Sequence, residues 1–388
     1  MTNNARKWRM IRLHSSEERI RTQIDKIGAD SYAFQMWSKG AGFAAQVSDM
    51  PCGAANILKQ EAIAAGADAI VTRGSVNCSV DKTDAVSLGS EYNIRKLIIR
   101  LRRQPFGLIA LGKQLEDMLA AKPLALQLRN DSLLLDKVFV MGILNLTPDS
   151  FSDGGKYLTK ETALDRAKQI IDEGAAFIDI GAVSTRPGYE LPSVNEEKDR
   201  LMPVMEAIAK LAGDNGVYVS LDSWRYEVLE SCAAYIDMIN DQSGLADARV
   251  AELAAMYSLA YCMMHNPADE SEADVSQYMY SRALTCEDIG LKPSQIILDP
   301  GFGFGKDVEG NYRALRKLPE LLALGYPILA GLSRKSMIGA AVEKELAERR
   351  TGTIAAETLA AINGTSIIRT HDVAACADAM KIVKMYTL

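Results

Sequence analysis

Residues 138–144, VFVMGIL, and residues 176–181, AFIDIG, are apolar runs on either side of the amphipathic stretch ETALDRAKQIIDEG (161–174). Each run has strand length and is apolar on successive residues, as expected for a strand covered on both faces. In the stretch between them apolar residues recur at three- and four-residue spacing, and Gly174 stands where such a helix stops. This is a strand–helix–strand unit. The alternation continues to the C-terminus, with further runs at 217–221 (VYVSL), 235–240 (YIDMIN), 259–264 (LAYCMM), 295–299 (QIILD), 326–332 (YPILAGL) and 365–370 (TSIIRT). NEEKDRLMPVMEAIAKLAG (195–213) is a second clear amphipathic helix among them. Eight strand–helix units in roughly 250 residues predict an α/β fold, a closed (β/α)8 TIM barrel. The alternative, an open doubly wound sheet, normally carries a G-x-G-x-x-G turn after its first strand, and none stands here.

Upstream, LQLRNDSLLLDK (126–137) reads as a hairpin turning at Asn130-Asp131, placed to plug the barrel's N-terminal mouth. Pro123 marks a break. The barrel domain is therefore expected over 123–388, preceded by a small N-terminal α/β domain over 1–122. In that domain FAAQV, AIVTR and FGLIALG are candidate strands, and ANILKQEAIAAGAD and EYNIRKLIIRLRRQ candidate helices. It carries no catalytic motif. Its basic run (Arg95, Lys96, Arg100, Arg102, Arg103) fits a solvated helix face better than an anion site.

The chain has 388 residues, 48% hydrophobic and 24% charged, which excludes a disordered chain. Forty-four Lys and Arg against 50 Asp and Glu give a net charge of −6, so neither nonspecific nucleic-acid binding nor an anionic membrane surface is expected. No leader-like or membrane-length apolar stretch occurs. The six cysteines (Cys52, Cys78, Cys232, Cys262, Cys286, Cys376) form no C-x-x-C pair and read as reduced thiols of a cytoplasmic protein. A barrel with a helix-rich exterior commonly dimerises, and a homodimer is expected.

A barrel enzyme builds its site from the C-terminal ends of its strands. All eight are polar here: Asn145 to Gly155 after strand 1, Ser184 to Gly188 after strand 2, then Asp222, Asn240-Asp241, His265, Asp299 to Lys306, Ser333 to Ser336, and Arg369 to Asp372. Within them TPDSFSDGG (147–155), STRPG (184–188), DPGFGFGK (299–306) and SRKS (333–336) resemble the signatures of the dihydropteroate synthase family, in that family's order. DPGFGFGK is not a P-loop, since it lacks the G-x-x-x-x-G-K-[ST] spacing.

The resemblance implies condensation of 6-hydroxymethyl-7,8-dihydropterin diphosphate with p-aminobenzoate, giving 7,8-dihydropteroate and diphosphate. It implies a pterin pocket of Asp222, Asn240, Asp299 and Lys335, whose acceptors and donors suit a flat heterocycle with an amide-like edge. Asn145, Arg186, Arg369 and His371 would hold the diphosphate, Asn145 also through Mg2+. Thr185, Arg186, Pro187, Phe304, Lys335 and Ser336 would receive p-aminobenzoate. Phe151 and Asp153 of the first loop, with Asp222, Lys335, Arg369 and His371, would act in catalysis. Three places depart from the family's usual pattern: Ala182-Val183 where a Gly-Glu pair is common, Ser223-Trp224 after strand 3, and MHNPAD after strand 5. A pterin-dependent methyltransferase or a non-catalytic pterin-binding paralogue are the alternatives, and the charged loop residues argue against both.

Overall fold

The computed structural model describes residues 38, 42–75, 77, 79–120, 124–147, 160–183, 191–266 and 275–387. The chain divides into two compact units, Met1–Lys122 and Pro123–Leu388. Among the described residues no helix is long and apolar enough to cross a membrane.

In the first unit, antiparallel strands β1 (Gly42–Pro51), β2 (Asp68–Val71) and β3 (Lys82–Ser90) form a sheet in the order β1-β3-β2. Helices α1 (Cys52–Ala65), α2 (Glu91–Leu101) and α3 (Leu108–Ala120) bury Leu58, Leu97, Leu101, Leu108 and Leu115 in one core. Two expectations are corrected here. Residues 106–112 are not a strand: Phe106 and Gly107 take positive φ, and Leu108 opens α3. Leu108, Leu111 and Leu115 are buried at helical spacing, a period masked by the apolar residues between them. The remaining strand is KTDAVSLGS, where Thr83, Ala85 and Ser87 are buried on alternate residues; two of the three are polar, which hid the pattern. Along α2, Arg95 pairs with Glu91, Arg100 with Glu61, and Lys96 lies over Tyr92, while Arg102 just beyond pairs with Glu116. Those charges are met locally, as on a solvated helix face.

The second unit opens with the hairpin β4 (Leu124–Gln127) and β5 (Ser132–Leu135), turning at residues 128–131. Eight parallel strands follow: β6 (Phe139–Asn145), β7 (Phe177–Gly181), β8 (Tyr218–Asp222), β9 (Met238–Asp241), β10 (Ala260–Met264), β11 (Ile296–Asp299), β12 (Leu329–Ala330) and β13 (Ile367–Thr370). They run in the order β11-β10-β9-β8-β7-β6-β13-β12, and a parallel bridge from Leu298 to Ile328 joins the two ends. The eight strands fall in the eight apolar runs of the sequence, and the barrel is the predicted one.

Helices α4 (Lys160–Asp172), α5 (Val194–Asp214), α6 (Tyr226–Cys232), α7 (Ala248–Tyr257) and α8 (Val275–Ile289) follow β6 to β10 in turn. After β11 come α9 (Val308–Arg316) and α10 (Leu318–Leu322), after β12 come α11 (Ser336–Val342) and α12 (Arg350–Ile362), and α13 (Val373–Thr387) follows β13. Local chemistry sets their ends. Ser193 and Glu196 form a capping box at the start of α5, and Gly174 at φ 96° ends the turn after α4.

Period-two alternation divides the barrel's side chains. Ile178, Ile180, Leu221, Ile239 and Met263 point out to a core shared with the helices. Phe139, Met141, Phe177, Met238, Cys262, Ile297 and Ile367 point in, and Leu126 and Leu128 of the hairpin segment join their cluster. Arg129 donates to the carbonyls of Ala233 and Ile236, and Tyr218 Oη donates to Asp131 Oδ2 at 2.5 Å. The hairpin closes the N-terminal mouth of the barrel.

Candidate active site

Moving up the inward positions, apolar side chains give way to polar ones every second residue. Phe177 is followed by Asp179, Met238 by Asn240, Ile297 by Asp299 and Ile367 by Arg369, while Asp222 and Asn145 end β8 and β6. Strand parity alone therefore collects these groups at the C-terminal mouth.

Arg369 joins them. Its Nε donates to Asp179 Oδ2 at 2.6 Å and its Nη2 to Asp222 Oδ2 at 2.7 Å. Asn240 Nδ2 donates to the same Asp179 oxygen at 3.1 Å. Gln242 Nε2 lies 2.6 Å from Asp222 Oδ1 and 2.7 Å from Oδ2. Asn145 reaches the same corner: a Cβ on Gly181 would sit 3.7 Å from Asn145 Oδ1 and 3.6 Å from Asp222 Oδ2. Asp179 Oδ1 and Asn240 Oδ1 are buried with no hydrogen-bond partner. A buried acceptor left unpaired costs about 1–3 kcal/mol, so the pair calls for a donor that none of the described residues supplies.

The loop after β11 forms the neighbouring wall. Asp299 Oδ1 accepts from the Gly301 amide at 2.8 Å. Lys335 Nζ donates to the Phe302 carbonyl and lies 4.4 Å from the centroid of the Phe304 ring. Gly303, at φ 80°, makes room for it, since a Cβ there would come within 2.8 Å of Lys335 Cδ. Behind this loop, Lys306 Nζ donates to the carbonyls of Gly301 (3.0 Å) and Phe304 (3.1 Å) and to His265 Nδ1 (3.0 Å). An ammonium has no lone pair, so the neutral His265 ring carries its proton on Nε2.

Burial dominates the electrostatics. It raises Asp222 to about 7, with Arg369 opposing and Asp179 adding to the rise. It raises Asp299 too, against the pull of Lys335. Burial lowers Lys335 and Lys306, each to about 8, with Asp299 resisting in both cases. His265 is pushed down to about 4 by burial and by Lys306. For Arg369, Asp179 and Asp222 outweigh burial and hold the guanidinium above its ordinary value.

Of the residues singled out from sequence, Asp222, Asn240 and Arg369 are brought into direct contact with the cluster, and Asp299, Lys335, Phe304 and Asn145 line the same mouth. His371 is held by Ser333, its amide and Nδ1 both on Ser333 Oγ at 3.1 Å and 3.0 Å. Ser336 is exposed on the first turn of α11. Phe151, Asp153, Thr185, Arg186 and Pro187 lie outside the described residues. The sequence reading missed Asp179 and Gln242. A signal for Asp179 was there: a carboxylate in the middle of the apolar run FIDIG belongs inside a barrel only if something pairs with it. Among the described residues no group of three or more His, Cys, Asp or Glu side chains is arranged to hold a metal ion.

Residues 141–371 match the family model described as "Pterin binding enzyme". Over 265 residues the chain is 41% identical to dihydropteroate synthase of Escherichia coli K12, covering 65% of this chain and 93% of that one. The chain belongs to the dihydropteroate synthase family. Solved family members share its barrel. The Xanthomonas albilineans dihydropteroate synthase with 4-aminobenzoic acid superposes at a TM-score of 0.64 and 37% identity, covering 69% of this chain and 99% of that one. A Coxiella burnetii dihydropteroate synthase in complex with pteroic acid gives a TM-score of 0.62 at 36% identity, covering 68% and 98%. The family's match falls on the second unit, and the first unit lies outside it.

Proposed function

We propose that the barrel condenses 6-hydroxymethyl-7,8-dihydropterin diphosphate with p-aminobenzoate, releasing diphosphate and 7,8-dihydropteroate. The observation that carries this reading is the floor of the mouth. Asp179, Asp222, Asn240 and Asp299 stand together at inward positions, and two of their buried acceptor atoms have no donor among the described residues. A dihydropterin presents ring N–H and amino donors on a flat edge, the complement of such a floor. Phe304, beneath the Lys335 ammonium, offers an aromatic face for the second ring.

The p-aminobenzoate amine is its own nucleophile, so the reaction needs no Ser or Cys. As the C–O bond breaks, positive charge spreads over the dihydropterin and negative charge gathers on the departing diphosphate. Asp222 and Asp299 face the first. Arg186, His371 and the one Arg369 nitrogen that the acids leave over would attend the second. Asn145 Oδ1, at the end of β6, is a hard oxygen donor of the kind Mg2+ takes when phosphate and water complete its shell. When bound, Mg2+ would neutralise diphosphate charge. Asn145→Ala is expected to raise the Mg2+ needed for half-maximal rate, and full turnover after exhaustive chelation would remove the metal from the scheme.

The decisive experiment is diphosphate release that depends on both substrates. Release that needs no p-aminobenzoate, or none at all from folded protein with Mg2+, would overturn the reading. Cys52, Cys232, Cys262, Cys286 and Cys376 are buried and in no disulfide, which suits a reducing cytoplasm, where we place the protein. We also propose a homodimer. Neighbouring helices α12 and α13 expose Leu359, Ile362, Ile382, Met385 and Tyr386, apolar side chains suited to a second copy. Sedimentation of an Ile382→Glu variant as a monomer, against a wild-type dimer, checks it.

A further inference from the structure

The Asp222 carboxylate is gripped from two sides. Arg369 Nη2 meets Oδ2 at 2.7 Å, while Gln242 Nε2 stands 2.6 Å from Oδ1 and 2.7 Å from Oδ2. Near-equal distances put the carboxamide nitrogen on the bisector of the carboxylate. The carboxylate then cannot turn about Cβ–Cγ without losing a bond. Gln242 is itself braced, for Asn266 Nδ2 donates to its backbone carbonyl at 3.0 Å. The residue before it, Asp241, is held by Tyr261 Oη at 2.6 Å and by the Ser243 amide at 2.7 Å.

We propose that Gln242 is a positioning residue of this site: from the braced turn after β9 its carboxamide nitrogen fixes the plane in which Asp222 meets the substrate. The identity of that substrate rests on the reading above, whereas the clamp rests on geometry alone. The charged groups that act on Asp222 are Arg369 from β13, Asp179 from β7, Glu197 from α5 and Lys335 from the turn before α11. Burial, Asp179 and Glu197 disfavour its ionised form; Arg369 and the Gln242 N–H favour it. A carboxylate that loses a donor titrates at higher pH. Removing the donor should thus weaken binding most below the pH at which Asp222 is half ionised, and least at high pH.

The test measures 6-hydroxymethylpterin affinity of the full chain from pH 6 to 9, for wild type, Gln242→Leu and Gln242→Glu, side by side so that titration of the ligand cancels. For Gln242→Leu the acid limb should move up by about one pH unit, which is about a fivefold loss at pH 7 and close to tenfold at pH 6. By pH 9 affinity should return to within about twofold of wild type, because Asp222 is then ionised in both. Gln242→Glu keeps the volume and sets an acid against an acid, so its limb should move at least as far, which keeps the proposal testable should the Leu variant fold poorly. A loss uniform across the pH range, or unchanged profiles in both variants, would overturn the proposal. Wild type that binds no pterin at any pH would instead count against the proposed function.

Discussion

Arg369→Met separates two roles that the sequence could not distinguish. Two of the guanidinium's nitrogens are spent on Asp179 and Asp222, at 2.6 and 2.7 Å, and its side chain is only 17% exposed. Deleting the cation leaves two acids facing each other in the barrel. Removing one partner of a buried ion pair costs about 3–5 kcal/mol. For a domain of this size that is a fall in Tm of about 6–20 °C, at about 2–4 °C per kcal/mol. The sign of the pH dependence is the sharper mark. Asp222 already ionises at about 7 in the fold against 3.8 as its ordinary value, and without Arg369 it would ionise higher still. The raised pKa costs stability at any pH above 3.8, but the variant's extra cost is full only above its own higher folded pKa and fades as pH falls below the wild-type value of about 7. The variant's deficit should therefore be clearly larger at pH 8.5 than at pH 6, where Asp222 is protonated in both proteins. Thermal melts of both proteins at the two pH values measure this. A deficit equal at both, or none, would mean that Arg369 does not neutralise the acids and is held for the diphosphate.

Lys335→Met and Asp299→Asn should each lower kcat/KM for the pterin substrate at least about tenfold, the loss of about 1.4 kcal/mol; wild-type kinetics in either would remove it from the pocket. Gly303→Ala places a Cβ 2.8 Å from Lys335 Cδ at φ 80°. Strain of about 1–3 kcal/mol should lower Tm by several degrees and turnover with it, and an unchanged melt with unchanged turnover would show that the loop relaxes freely. Residues 123–388, expressed alone or behind a soluble fusion, should retain turnover at saturating substrates; a folded but inactive barrel would bring the first unit into the chemistry.

How far the sequence could be read depended on whether a residue's partners were nearby. The barrel was legible because each strand is an apolar run between turn residues, a pattern that lies within a few positions. Asp222, Asn240 and Asp299 were legible because they end those runs. Asp179 was not, because its partners Arg369 and Asn240 are far away in sequence, and only ring closure brings them to one oxygen. Arg369 was legible as a strand-end cation, but nothing local reveals that two acids from other strands also bind it. In the first unit, FGLIALG was misread because high apolar density satisfies strand and helix alike, and the φ 58° of Phe106 that ends the preceding turn leaves no mark in composition.

The hairpin at the base has a consequence for traffic. With Leu126 and Leu128 filling the lower end, the described part of the barrel is closed below and opens at the strands' C-terminal ends. Asp179 lies two residues below the rim formed by Gly181, a depth of about 6–7 Å at the rise of a strand. A ring seated toward that depth is covered by whatever reacts with it from above. A pterin seated at that depth would have to arrive before its partner, and the joined product would have to leave before another could enter. A molecule that occupies the depth alone would keep the doorway clear and still stop the queue.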